Sequence, residues 1–332
     1  VNNLLENILS KIKENDNFVI TTHVNPDGDA IGSELALARL ISSFGKNVKI
    51  INHSQTPDYL LFMLNSDSEV LQFSEEIHTN FINQAKIIFV VDLNHLNRTQ
   101  SLENYIRKSN AEIICIDHHE FPENYANINL IDISSSSTGE LIYRLLKHSK
   151  IEMNYSFAMP LYVAIMTDTG SFKYERTTSE IHRIVAELLD AGVIPKVIHQ
   201  NIYDQGSANR IQLLGRAFNS LVVSISGQLA YMKITNSDLK ETNSSEEDVE
   251  GFVNYTLSIK GVEVGIFFFE LETGFKMSFR SATKVPVNKL AAEFNGGGHF
   301  FASGARVENK KMEETIPQVI DFALNYLQKY FN

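Results

Sequence analysis

A single cysteine stands among the 332 residues: Cys115, inside the apolar run 112–116. No intrachain disulfide can form, which points to a reducing compartment, and the run around it makes the thiol a small buried hydrophobe rather than a reactive group. Also lacking is any apolar run of the roughly 20 residues that cross a bilayer, and no basic, apolar and small-residue signal pattern opens the sequence. The expectation is a cytoplasmic protein without a membrane partner. Basic charge is scarce as well, with 29 Lys and Arg against 40 Asp and Glu and a net charge of −11. That balance argues against a surface tracking long duplex DNA through many phosphate contacts, and leaves room for a short nucleotide held in a pocket. Internal repeats and low-complexity tails are absent too.

What the chain does have is length for more than one core. A typical domain holds about 100 to 200 residues, so two are expected, and 43% hydrophobic against 21% charged residues supply their interiors. Leu4, Leu5, Ile8, Leu9 and Ile12 recur at helical spacing ahead of the apolar run 18–20. Helical stretches, among them 30–44, 58–64 and 101–108, then alternate with apolar strands at 47–51, 86–91 and 112–116. That alternation predicts a doubly wound, mostly parallel sheet. A buried helix is expected at 157–166, with further helices at 179–189 and 195–203. Beyond residue 220 come paired apolar strands at 221–225, 229–234, 262–271 and 275–280, a helix near 246–258 and a closing helix at 316–331. The fold class is therefore α/β, with residues 1–194 as the first domain, 195–218 as a helical linker, and 219–332 as a smaller α+β domain across a cleft from the first.

Chemistry gathers where apolar runs end. After the run 18–20 comes Thr22-His23-Val24-Asn25-Pro26-Asp27-Gly28-Asp29, an H-x-x-x-D-x-D turn leaving a strand, where open α/β sheets keep their ligands. Val90-Val91-Asp92, Ile116-Asp117-His118-His119 and Thr167-Asp168-Thr169-Gly170 close other apolar runs. One such turn is weak, because Asp and Gly favour turns and a lone His is usually structural. Four together read as a metal centre. Asp27, Asp29, Asp92 and Asp168 would repel one another, and two divalent cations balance four carboxylates. Mixed imidazole and carboxylate donors admit Mn, Co, Zn or Mg. Ser137-Thr138-Gly139-Glu140 reads more plainly, as capping residues for a helix.

Near the other end lie Phe279-Arg280-Ser281, Phe294-Asn295-Gly296-Gly297-Gly298-His299 and Ala302-Ser303-Gly304. Gly296, Gly297 and Gly298 lack side chains, so their backbone N–H groups can approach an anion, with Arg280, His299 and Ser303 as added donors. The plainer reading is a turn that needs positive φ. Arg98 either reaches the substrate or is a surface arginine. Phe172, Tyr174 and Phe301 suit base stacking, although core packing is the commoner fate of aromatics.

These segments, in this order, resemble the DHH phosphoesterase superfamily, whose signature is the triplet Asp117-His118-His119, and the Gly-Gly-Gly-His run resembles its DHH-associated C-terminal domain. The likeness spans nearly the whole chain and is greatest to the oligoribonuclease and pAp phosphatase branch. It implies that His23, Asp27 and Asp92 hold one cation and that Asp29, Asp92, His118 and Asp168 hold a second, with Asp92 shared. Mn2+ is the implied ion, with Mg2+ or Co2+ as substitutes. Asp117 would orient an imidazole and His119 would face the phosphate, as the catalytic pair. Arg98, Arg280, Gly296, Gly297, Gly298, His299 and Ser303 would hold substrate. The implied activity cuts short single-stranded oligoribonucleotides to mononucleotides and converts 3′-phosphoadenosine 5′-phosphate (pAp) to AMP by two-metal in-line attack; a homodimer is compatible with it. Rival readings are a cyclic di-AMP or pApA phosphodiesterase, a pyrophosphatase or exopolyphosphatase, and a nucleotide sensor that kept the fold and lost the reaction.

Overall fold

The stretch Ile87–Val91 reads Ile-Ile-Phe-Val-Val and is buried throughout, the profile of a strand covered on both faces. The structure, a computed structural model, describes residues 2–331. The chain forms two bodies, one ending at Gln205 and the other beginning at Gly206. That break falls within the segment expected to be a linker. Helices flank the break, one ending at Tyr203 and the next beginning at Ala208.

In chain order the first body contains α1 (Asn2–Glu14), β1 (Asn17–Thr21), α2 (Gly28–Ser43), β2 (Asn47–Asn52), β3 (Val70–Gln72), α3 (Glu75–Gln84), β4 (Ile87–Val91), α4 (Glu103–Lys108), β5 (Glu112–Asp117) and β6 (Ile128–Ile131). Four helices follow: α5 (Thr138–Ser149), α6 (Tyr155–Asp168), α7 (Ser179–Asp190) and α8 (Pro195–Tyr203). The six strands lie in the order β3-β2-β1-β4-β5-β6, and every pairing is parallel. Alternate residues serve opposite faces. Phe18, Ile20, Phe89 and Ile114 pack with α1, α2, α5 and α6, whereas Val19, Ile88, Val90 and Ile113 pack with α3 and α4. The chain leaves β1 in one direction along the sheet and resumes at β4 in the other, so a crevice opens beyond the carboxyl ends of β1 and β4. His23 follows the first of these strands and Asp92 the second.

Close helix packing fixes that end of the sheet. Gly32 of α2 faces the Pro160 carbonyl and Gly139 of α5 faces Ala164, and a Cβ at either position would overlap its neighbour. Gly139→Ala should therefore destabilise the protein by about 1–3 kcal/mol through overpacking, seen as a lowered urea midpoint with an unchanged slope.

The second body contains α9 (Ala208–Asn219), β7 (Val222–Val223), β8 (Leu229–Ile234), α10 (Asn236–Thr242), β9 (Val264–Leu271), β10 (Gly274–Ser281), α11 (Val287–Ala292), β11 (Gly297–Gly298), β12 (Ala302–Val307) and α12 (Met312–Phe331). Its sheet runs β11-β12-β10-β9-β8-β7 and is antiparallel except between β8 and β9. One face buries Ile266, Phe268, Met277 and Phe279 against α11 and α12. The other buries Met232, Phe267 and Phe269 against α9 and Phe252.

Several elements depart from expectation. The helix expected near 246–258 is two short 3-10 turns, Glu246–Val249 and Phe252–Ser258, because Gly251 between them is left-handed at φ 80°. The expected strand at 221–225 shrinks to Val222–Val223, both exposed. Residues 58–64 also form a 3-10 helix, Asp58–Met63, rather than an α-helix. Among the described residues no helix is long and apolar enough to cross a membrane.

Candidate metal centre

The turn after β1 is stitched to both neighbouring strands before any functional side chain is considered. Thr22 donates its hydroxyl to the Val91 carbonyl (2.8 Å) and its N–H to Asn52 Oδ1 (3.2 Å). His23 is thereby set in the crevice, and its Nδ1–H donates to the Val24 carbonyl (2.9 Å). This tautomer points the Nε2 lone pair at Asp92, whose Oδ2 lies 3.5 Å away. Asp27 caps α2, with Oδ1 accepting from the N–H groups of Asp29 (3.0 Å) and Ala30 (3.1 Å). Its other oxygen is left for a ligand role.

Asp29, fully buried, is where two helix N-termini meet. It sits in the first turn of α2, and it accepts from the first amides of α5, Thr138 N–H at 2.7 Å and Gly139 N–H at 2.8 Å, as well as from the Ser33 hydroxyl at 3.2 Å. Both helix dipoles favour negative charge there. Asp92 ends β4 with a left-handed backbone, φ 58°, a conformation Asp tolerates better than most residues. One of its oxygens faces His23; the other accepts from the Thr138 hydroxyl (3.0 Å) and lies 3.6 Å from His118 Nε2. His118 Nε2 is also 3.2 Å from Asp168 Oδ2 and 3.7 Å from Asp29 Oδ2. Asp117 is fully buried; its Oδ1 accepts from His119 Nδ1 at 2.7 Å, and its Oδ2 has no partner.

Electrostatics point the same way. Burial first, and then the charges of Asp92, Asp168 and Asp27, hold Asp29 well above the usual carboxylate range. Asp92 is raised likewise, by burial ahead of Asp27, Asp168 and Asp117, and Asp168 is pushed up to about 7, again chiefly by burial. Burial pushes His118 down to about 4, with His119 adding to it, and lowers His23. Neutral imidazoles cannot balance crowded carboxylates. A cation can, and the donors are grouped for it: His23, Asp27 and Asp92 form one set, Asp29, His118 and Asp168 a second, and Asp92, His118 and His119 a third, each with ligand atoms within 4.8 Å of one another. Hard oxygen and borderline nitrogen donors of this kind fit a divalent first-row ion or Mg2+.

The sequence-predicted residues are placed unevenly. His23, Asp27, Asp29, Asp92, Asp117, His118, His119 and Asp168 come together. Arg98 joins them, because its carbonyl accepts from Val24 N–H (2.8 Å) and its charge helps hold His23 down. Arg280, Gly296, Gly297, Gly298, His299 and Ser303 lie in the second body. There Gly297 and Gly298 pair with β12. Gly298 takes φ 136° and, like Gly296, leaves no room for a Cβ against the β12 backbone, so close strand approach accounts for two of the three glycines. Ser303 donates its hydroxyl to the Val287 carbonyl (2.7 Å), which pins α11 to the sheet. Phe172 packs on Tyr162 (5.9 Å) and His182 (6.0 Å), while Tyr174 and Phe301 are exposed.

Sequence reasoning missed three participants. Thr138 and Gly139 read as capping residues only, yet they also bind the site carboxylates. Arg176 carried no local signal; its Nη1 lies 3.4 Å from His118 Nδ1 and 3.5 Å from the Ser135 carbonyl.

Comparison with known proteins agrees with this architecture. Residues 17–165 match the DHH family, N-terminal domain, and residues 226–329 match the DHHA1 domain. A protein of Thermus thermophilus named bifunctional oligoribonuclease and PAP phosphatase NrnA is 27% identical over 91% of this chain and 87% of its own length. The protein of that name in Bacillus subtilis is 28% identical over 88% and 90%. Among solved structures, an exopolyphosphatase-related protein from Bacteroides fragilis superposes with a TM-score of 0.91 at 34% identity, covering 99% of this chain and 97% of that one.

Proposed function

Since the chain belongs to the DHH family, with a DHHA1 domain behind its DHH domain, and is a hydrolytic phosphoesterase, we propose that it cleaves short RNA oligonucleotides to mononucleotides and removes a phosphate from PAP, with two divalent ions in the crevice. The observation that carries this reading is Asp92, one carboxylate oxygen facing His23 and the other His118. A group so placed can be shared between a site built from His23 and Asp27 and a second built from Asp29, His118 and Asp168. When bound, paired divalent ions lower the pKa of water and clamp phosphoryl oxygens; Mn2+ is the proposed pair. The names of the Thermus and Bacillus relatives support the substrates.

The protein's own groups do the rest. His119, oriented by Asp117 through Nδ1, keeps Nε2 to hold or release a proton at the leaving oxygen. Arg98, beside His23, offers a guanidinium to a phosphate. In the second body Arg280, His299 and the amides of Gly297 and Gly298 are the proposed substrate contacts; of the other two residues expected there, Gly296 donates its N–H to the Ala291 carbonyl (2.9 Å) and Ser303 its hydroxyl to the Val287 carbonyl, so neither donor is left for a phosphate. A cytoplasmic setting belongs to the same proposal. It is supported by the single cysteine, which can form no intrachain disulfide.

Release of products from PAP, di- to pentanucleotide RNA, pApA, cyclic di-AMP and pyrophosphate, each with Mn2+, Mg2+ and Co2+, tests this. Fastest turnover of PAP and the shortest RNAs is expected, and preference for pyrophosphate or the cyclic dinucleotide would replace the reading. Metal dependence has its own test. Protein stripped with EDTA and resupplied with Mn2+ at about 100 times its dissociation constant should gain roughly 2.7 kcal/mol per ion, which raises Tm by at least about 5 °C. No rise in a scanning calorimeter would sink the metal assignment.

A further inference from the structure

Arg176 lies on the segment that links Asp168 to α7. Backbone bonds fix that segment on both sides: Lys173 and Tyr174 donate to the Thr169 carbonyl (both 3.0 Å), and Thr178 donates to the carbonyl of Arg176 itself (3.0 Å). The side chain is exposed, and its guanidinium reaches His118 Nδ1 and the Ser135 carbonyl only at long range, 3.4 and 3.5 Å. Five donors are thus held beside the site by two weak contacts.

We propose that Arg176 is a specificity-determining contact for the substrate phosphate, favouring a terminal phosphate dianion over the monoanionic diester of an RNA chain. The inference rests on the reading of the site given above and goes beyond it, by naming a residue and the charge state it selects. Two divalent ions offset four carboxylates, so any charge the substrate brings must be met by other cations. Arg98 stands at the His23 side and Arg176 at the His118 side. A phosphomonoester such as the one removed from PAP carries about one more negative charge near neutral pH than a phosphodiester, and a planar guanidinium takes two of its oxygens at once. The two long contacts, to His118 Nδ1 and the Ser135 carbonyl, leave the other donors of the guanidinium for a phosphate.

Wild type, Arg176→Ala, Arg176→Gln and Arg176→Lys are compared in three measurements: kcat/KM for PAP and for a diribonucleotide, the inhibition constant of inorganic phosphate with Mn2+ present, and Mn2+ affinity by electron paramagnetic resonance. Loss of the guanidinium should lower kcat/KM for PAP about 100-fold and for the dinucleotide about 10-fold. Inhibition by phosphate should weaken about 10-fold, Mn2+ affinity should stay within twofold, and Arg176→Lys should recover part of each loss. Equal losses on both substrates, unchanged inhibition by phosphate, or a parallel fall in Mn2+ affinity would overturn the proposal and leave the arginine a structural neighbour of His118. Wild type that hydrolyses neither substrate would instead overturn the functional reading. Should the alanine variant not fold, glutamine against lysine gives the same comparison.

Discussion

Asp92→Asn should reduce turnover of any accepted substrate by about 1,000-fold or more, because losing a shared carboxylate removes several kcal/mol of charge stabilisation in the transition state. Asparagine is the informative replacement. It keeps the volume and tolerates the left-handed backbone at this position, so a fold defect is not expected. Without added ions the variant should be at least as stable as the parent, since one of the mutually repelling carboxylates is gone. The Mn2+-dependent rise in Tm should shrink or vanish with the activity. Turnover within tenfold of the parent, measured with saturating Mn2+, would show that Asp92 does not join two ions and would dismantle the proposed site.

A second large effect concerns Glu34, on the buried side of α2. Its side chain is fully enclosed; Oε2 accepts from Asn52 Nδ2 at 2.8 Å, and Oε1 has no partner. Asn52 in turn accepts from the Thr21 hydroxyl and Thr22 N–H, so the glutamate braces the turn that carries His23. Burial pushes its pKa up to about 8 from the ordinary 4.5, against a smaller opposing effect of the Asn52 bond. The folded state therefore holds this proton more tightly than the unfolded chain does. The resulting stabilisation is complete below pH 4.5 and is lost as pH rises through 8, on the order of 5 kcal/mol in all. Glu34→Gln, which mimics the protonated acid, should escape that loss. Urea midpoints in EDTA at pH 5, 7 and 9 check it: the variant should gain steadily on the parent, and parallel curves would refute the assignment.

How much of this was legible beforehand follows from how each residue is fixed. Asp92 and Asp117 could be found because a strand buried on both faces must be a continuous apolar run, so the first carboxylate after it stands out. β3 and β6 were missed because three and four residues of mixed character hold no such run. α3, with only His78 and Ile82 buried, shows too narrow an apolar stripe. Thr138 and Gly139 are a different failure. Their local role as helix start was visible, but which carboxylate meets an amide is decided by the crossing of α2, α5 and α6, and no local pattern encodes that. The position of Arg176 depends likewise on a turn that brings it back to His118, 58 residues earlier. The broken helix at Gly251 shows the reverse case, where one left-handed glycine overrides a helical pattern around it.

The reach between the two halves of the donor set also governs when an ion can first be captured. Asp29 meets its amide partners 109 and 110 residues downstream, and Asp168 is made later still. At about 5–20 residues per second of synthesis, the nascent chain spends roughly 7–30 seconds with an incomplete set of donors. Scattered His and Asp side chains on an emerging polypeptide would take whichever cation is most avid in the series. Because the set of Asp29, His118 and Asp168 is incomplete until α6 has docked, the choice of ion for that set falls to the completed α/β body and the cellular pool it meets.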